Sequence, residues 1–414
     1  MNKIVSDLPL GATAPLAEIL LADTAIKVEL PPSQHMIAIE RYEAVRTYIE
    51  REGSLLRGLV ALFYPQGSMA ISATIRAKRR DDGYDIDIIA ELLLAIGTPP
   101  AVVLDLLFKA LRGEPGSRYY DMVKRQTRCV TIYYADGMHL DVTPSILVNE
   151  QDPRRSNIFH AKPGAPHEDK TLEMNSHAFA RHFRDLTPVD FLFASAYAKR
   201  AWLADAALAK AEAEEVPPHS SELGGKSTSV VALQLLKRNR NILYQPRTSL
   251  RMPPSAMMSC LTAEVAVPGR SIGAALVVIS THILTSLEQA QAAGKLVDVR
   301  NPKCSSERFT DRWPENLAAQ DLYIRDLRRF QGQLAELMDP ARSLKEKGDL
   351  LAAMFGEQPA RDVIRDYNLR IGQSVQSGQR LIGAGGGVLV GAPAVAKAPA
   401  VKPHTFYGTR WPSR

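Results

Sequence analysis

The chain has 414 residues, is 45% hydrophobic, and carries 51 Lys and Arg against 45 Asp and Glu for a formal net charge of +6. That is ample material for two domains or one large unit, while no apolar run approaches the ~18 residues that span a membrane. The basic balance is compatible with a polyanionic ligand but does not specify one. Asp7, Glu18 and Asp23 interrupt any secretory signal. Cys129, Cys260 and Cys304 are odd in number and far apart; they fit a reducing, cytoplasmic setting and offer no metal-ligand spacing.

Residues 1–35 read as an N-terminal extension. Over 36–52, Ala38, Tyr42, Val45 and Ile49 recur at helical spacing and predict an amphipathic helix. A strand then ends at Gly67-Ser68. A basic loop (Arg76, Lys78, Arg79, Arg80) leads to a strand carrying Asp85 and Asp87. Pro99-Pro100 open a helix through Arg112, which Gly113 to Gly116 break. Residues 129–134 are β-rich, and Asp136-Gly137 signals a type I′ hairpin into a return strand with His139, Asp141 and Thr143 on one face. Residues 150–172, with Pro153, Pro163, Gly164 and Pro166, read as loop. Strands interleaved with helices make 36–172 one unit.

From 173 to 383 the pattern is helical. Thr187-Pro188-Val189-Asp190 reads as a helix start with Thr187 as N-cap, running to Glu215. Further helices are expected over 228–244, 254–266, 271–293, 315–338, 341–356 and 359–370. Residues 384–403 are Gly/Ala/Pro-rich and predict a linker. Phe406, Tyr407 and Trp411 beyond it have no core to enter, which suits either a disordered end or a short motif held by a regulatory protein.

The chemistry concentrates between residues 63 and 91. Side chains alternate along a strand, so Asp85 and Asp87 share a face, and the run with Ile86, Ile88 and Ile89 can pack on a core. Neighbouring carboxylates repel unless a cation lies between them, and hard oxygen ligands suit Mg²⁺. Gly67-Ser68 fits a turn whose N–H groups approach a phosphate, with the Ser hydroxyl as a further donor; an ordinary turn is the alternative. Asp141, polar in an otherwise buried strand, is the third carboxylate. Lys237 follows an apolar helical run, where its ammonium can reach triphosphate oxygens; a solvated face shared with Arg238 and Arg240 is the alternative. Asn301, Pro302, Phe309 and Trp313 read as packing residues. His160, His167, His177 and His182 show no zinc pattern.

Gly67-Ser68, Asp85-x-Asp87 and a later strand Asp141 together resemble the polymerase-β-like nucleotidyltransferase superfamily. The segments NSHAFARHF (175–183), LLKRNRN (235–241) and NPKCSSERFTDRW (301–313) are similar to those of bacterial CD-NTases, relatives of cyclic GMP-AMP synthase that make cyclic oligonucleotide messengers in anti-phage defence. Two positions depart from the family's usual pattern: Asn175-Ser176 stands for Asn-Pro, and Arg240-Asn241 for Arg-Asp. The resemblance implies an α+β fold, a catalytic palm with a mixed sheet over 36–172 and a helical lobe over 173–383, bilobal with a central cleft. It implies two Mg²⁺ ions (Mn²⁺ as substitute) on Asp85, Asp87 and Asp141, and donor phosphates on Gln66, Gly67, Ser68 and Lys237. Ribonucleoside triphosphates, ATP among them, would be joined into a cyclic di- or trinucleotide that acts on a separate effector, with no membrane or stable nucleic-acid partner. A tailing enzyme, a nucleotidyltransferase toxin and a silent nucleotide-binding scaffold are the rival readings.

Overall fold

The computed structural model describes residues 14–76, 84–148, 154–212, 225–376, 380–382 and 388–390. The expectations for Lys78, Arg79 and Arg80 and for the aromatic tail lie outside them. The chain opens with α1 (Leu16–Val28) and α2 (Pro32–Ile49). Strand β1 (Val60–Pro65) runs into the single turn α3 (Gly67–Ala70), and β2 (Asp85–Leu92) into α4 (Pro100–Arg112). Strands β3 (Val123–Arg125), β4 (Val130–Tyr133), β5 (His139–Leu147), β6 (Ser156–His160) and β7 (Lys170–Met174) complete the sheet.

The sheet is mixed, in the order β1-β2-β5-β4-β3, with β6 and β7 continuing from β5. Among the described residues, only β2 and β5 pair in parallel. Ile86, Ile88, Ala90, Leu140 and Val142 face one way and bury against Ala38, Val45 and Ile49 of α2 and Val103, Leu104 and Leu107 of α4. The acidic side chains take the alternate positions, so period-two geometry puts core on one face and chemistry on the other.

Two expectations within the sheet are corrected. The 150–172 loop contains β6 and the start of β7; these pair with each other, and β6 also pairs with the end of β5, so their β structure comes from pairing with neighbouring strands rather than from local propensity. The β4–β5 turn is not type I′. Type I′ needs positive φ at both central residues, and Asp136 does not have it, whereas Gly137 does (φ 87°). Tyr134 and Met138 close a three-residue loop, and Arg41 grips both Asp136 oxygens at 2.9 and 2.7 Å.

The helices are α5 (Ser176–Leu186), α6 (Phe191–Glu212), α7 (Thr228–Tyr244), α8 (Ser255–Val265) and α9 (Ile272–Ala292). A two-stranded ribbon follows, β8 (Arg300–Asn301) with β9 (Cys304–Arg308), then α10 (Leu317–Met338), α11 (Leu344–Phe355) and α12 (Glu357–Gln376). Thr187 does not cap α6: its hydroxyl bonds back to Phe183 O of α5, and Asp190 Oδ1 caps α6 through Phe193 N. Within the C-terminal unit, Arg361–Arg414, β10 (Arg380–Ile382) pairs antiparallel with β11 (Val388–Val390).

Helix α7 is the axis of the helical part. All but Ile242 and Leu243 of its residues are buried, against α1, α8, α9 and α11. The solvated face considered for Lys237, Arg238 and Arg240 therefore does not exist. Carbonyl oxygens satisfy these cations instead: Arg238 Nε donates to Phe355 O and Arg240 to Pro253 O. Helix α1 is likewise buried, and Glu18 accepts from Ile272 N and Gly273 N at the start of α9. Helix α9 is long and apolar enough to cross a membrane, but half of it is buried in the fold.

Candidate active site

The parallel register sets Asp87 beside Asp141 and Asp85 beside His139. One carboxylate oxygen from each of Asp85, Asp87 and Asp141 lies within 4.8 Å of the others. Thr131, opposite Asp141 across the hairpin, donates to Asp141 Oδ1 at 2.5 Å. Among the described residues, no Lys, Arg or His forms an ion pair with the three. Burial, then the charge of Asp141, raises the pKa of Asp85; burial, then Asp85 and Asp141, raises that of Asp87. Crowded carboxylates of this kind are stabilised by a cation between them. A donor set of carboxylate oxygens alone selects a hard ion such as Mg²⁺, so the residues present fit a divalent metal.

Gly67 adjoins this cluster with φ 57°. A Cβ there would stand 2.5 Å from Asp87 Oδ2 and 3.2 Å from its Cγ. Only glycine meets both the dihedral and the clearance. Gln66 N donates to Asp87 O at 2.9 Å, and Gln66 Nε2 reaches Thr143 Oγ1 at 3.5 Å. The turn is thus hung on β2 at the residue that carries the central carboxylate.

Gln66, Gly67, Ser68, Asp85, Asp87 and Lys237 line one cavity of about 580 Å³. Lys237 is buried, and its Nζ donates to Ala73 O at 2.7 Å. Burial, reinforced by Arg240 and opposed by Asp87, pushes its pKa down to about 7. Gln234, one turn earlier, donates to Thr74 O at 2.9 Å. Helix α7 therefore holds the segment after α3 in place, and an ammonium with three donors keeps capacity beyond Ala73.

The structure brings every expected site residue except Asp141 to this cavity. Asp141 lines an adjoining pocket with Asp85, Thr131, Arg128, His139 and Arg312. Asn301 and Trp313 are buried, as packing residues should be, whereas Phe309 lines the cavity. The sequence reading missed Thr131 and Glu307. Thr131 comes opposite Asp141 only with the three-residue loop; a two-residue turn at Asp136-Gly137 would have put Ile132 there. Glu307 carries no local signal, because β9 reaches the cavity only through tertiary packing.

No family model matches the chain. Over 400 residues it is 41% identical to the cyclic dinucleotide synthase CdnG of Bradyrhizobium diazoefficiens, covering 94% of each chain. The chain belongs to the CD-NTase family. It is a nucleotidyltransferase, and the expected family and α+β fold are borne out. The solved CD-NTase CdnG of Bradyrhizobium diazoefficiens, in complex with GTP, matches with a TM-score of 0.74 at 38% identity, covering 86% of this chain and 99% of that one. The c-di-GMP synthase of Roseivirga ehrenbergii is 23% identical over 395 residues, covering 94% of this chain and 96% of that protein. In this CD-NTase the three expected carboxylates stand together on β2 and β5.

Proposed function

We propose that this CD-NTase joins two molecules of GTP into a cyclic dinucleotide, releasing two pyrophosphates. The carrying observation is the carboxylate cluster on adjoining parallel strands, against a glycine that leaves room for it, beside a cavity large enough for nucleotides. The choice of GTP is supported by the relative solved with GTP and the relative named for c-di-GMP.

Asp85, Asp87 and Asp141 hold two Mg²⁺ ions, with Mn²⁺ a competent replacement. When bound, the metal supplies activation of the attacking ribose hydroxyl and charge neutralisation at the leaving pyrophosphate. The protein's own share is positioning and electrostatics. Gln66, Gly67 and Ser68 contact the donor's β- and γ-phosphates, with no Cβ at Gly67 to block approach. Lys237 adds positive charge from below the turn. Thr131 fixes the orientation of Asp141. By family membership, the product is a messenger read by a separate effector in anti-phage defence, within the cytoplasm.

The test incubates protein, Mg²⁺ and the four ribonucleoside triphosphates, then phosphatase, then mass spectrometry. A phosphatase-resistant cyclic diguanylate, absent with the Asp85→Ala/Asp87→Ala protein, is expected. Linear or macromolecule-linked nucleotides would replace this reading with a tailing enzyme or toxin, and no turnover with either metal would favour a scaffold.

A further inference from the structure

Glu307, on β9, lines the same cavity as Asp85 and Asp87. Its Oε2 accepts from Asn175 N at 3.0 Å and from Asn301 Nδ2 at 2.7 Å. Asn301 Nδ2 also donates to Asn175 O at 3.1 Å, so the carboxylate is anchored to the start of α5 from one oxygen only. Among the described residues, no Lys, Arg or His pairs with Glu307 and no donor reaches Oε1. Burial raises its pKa, and the two donors on Oε2 oppose that.

An uncompensated carboxylate is out of place in a cavity for triphosphates, because it repels them. It needs a neutral, donor-rich partner, and the nucleobase is the part of a nucleotide with that chemistry. The surroundings suit a base: Phe179 and Phe309 also line the cavity, with ring centroids 4.9 Å apart, and Met252 adds apolar surface. Of the four common bases, only guanine presents two adjacent donors, N1–H and N2–H₂. Adenine offers a lone pair at N1, cytosine an amine beside a lone pair, and uracil one N–H between two carbonyls.

We propose that Glu307 is the guanine-reading residue, its anchored carboxylate accepting hydrogen bonds from N1–H and N2–H₂ of the bound nucleotide. The assignment rests on the GTP reading above and adds a selection rule to it. Adenine is excluded because its N1 lone pair would face a carboxylate oxygen, leaving a repulsive contact in place of a hydrogen bond.

The test is calorimetric binding of GTP, inosine triphosphate and ATP to the full chain, with Ca²⁺ in place of Mg²⁺ to suppress turnover. Inosine lacks only the N2 amine. Wild type should bind GTP about 10-fold tighter than inosine triphosphate, and ATP more weakly still. Glu307→Gln retains an oxygen for Asn175 and Asn301 but turns an amide N–H₂ toward the cavity. It should weaken GTP about 10- to 100-fold, bring GTP and inosine triphosphate close to parity, and improve ATP relative to both. A purely structural Glu307 would weaken all three nucleotides by one factor, which overturns the assignment; so would a wild type that binds GTP and inosine triphosphate equally, a result that needs no variant to fold. Product analysis in Mg²⁺ separates the two levels. Selective GTP binding with only linear product overturns the cyclic reading and upholds Glu307, whereas cyclic product made equally well from guanosine and inosine nucleotides overturns Glu307 alone.

Discussion

Replacing Gly67 with alanine adds one methyl group and tests the geometry on which the site depends. At φ 57° a non-glycine residue is strained by about 1–2 kcal/mol. The new Cβ would start 2.5 Å from Asp87 Oδ2, closer than non-bonded atoms tolerate. The Asp87 side chain or the turn must therefore give way by about half an ångström or more. The strain is small beside the stability of a chain of this size and should lower Tm by only a few degrees. The displacement acts on a carboxylate that must meet two others within 4.8 Å, and misplacement on the ångström scale costs about 100-fold in rate. Initial rates of pyrophosphate release, read beside thermal unfolding, separate the effects: a loss of about 100-fold with Tm nearly kept is expected. Activity within about threefold of wild type would show that Gly67 does not govern Asp87 and would refute the reasoning.

The raised pKa of Asp87 has a sign that can be checked. A carboxyl raised in the folded state contributes stability at low pH, and loses it as the pH climbs through the folded-state value. Without metal, the Tm of wild type relative to Asp87→Asn should fall between about pH 4 and about pH 8, and saturating Mg²⁺ should flatten that slope. Lys237→Met removes a buried ammonium and its bond to Ala73 O; an effect of about 1 kcal/mol on stability, with KM for the triphosphate up about 10-fold, would place the charge on phosphate, and an unchanged KM would restrict it to holding the turn. Glu18→Gln weakens the carboxylate that accepts from Ile272 N and Gly273 N at the start of α9; it should cost about 1–2 kcal/mol in denaturant unfolding with rates at 25 °C unchanged.

Much of the candidate site was legible because it is written in short-range geometry. Alternation along one strand puts Asp85 and Asp87 on one face, and a glycine turn folds the strand of Asp141 back on its neighbour. These relations span few residues and follow from backbone period. The capping of α6 was misread for the same reason that helix ends are hard generally. Thr187 and Asp190 both suit an N-cap, and only the presence of α5 through Leu186 decides between them. Buried cations were misread too: Arg238 and Arg240 look solvated in a linear chain, and become interior only when α1, α8, α9 and α11 close round α7.

By itself the sequence determined helices α2, α4 and α6 to α12, strands β1, β2, β4 and β5, the three carboxylates and the glycine turn, since each depends on residues close together in the chain. The tertiary structure decided the parallel pairing of β2 with β5 that brings Asp87 to Asp141, the bond from Lys237 to Ala73, and the arrival of Glu307 in the cavity. Those contacts join residues 54, 164 and more than 200 positions apart (141 − 87, 237 − 73, 307 − 87). No local propensity encodes such separations; they are set by the burial of apolar faces across the whole fold.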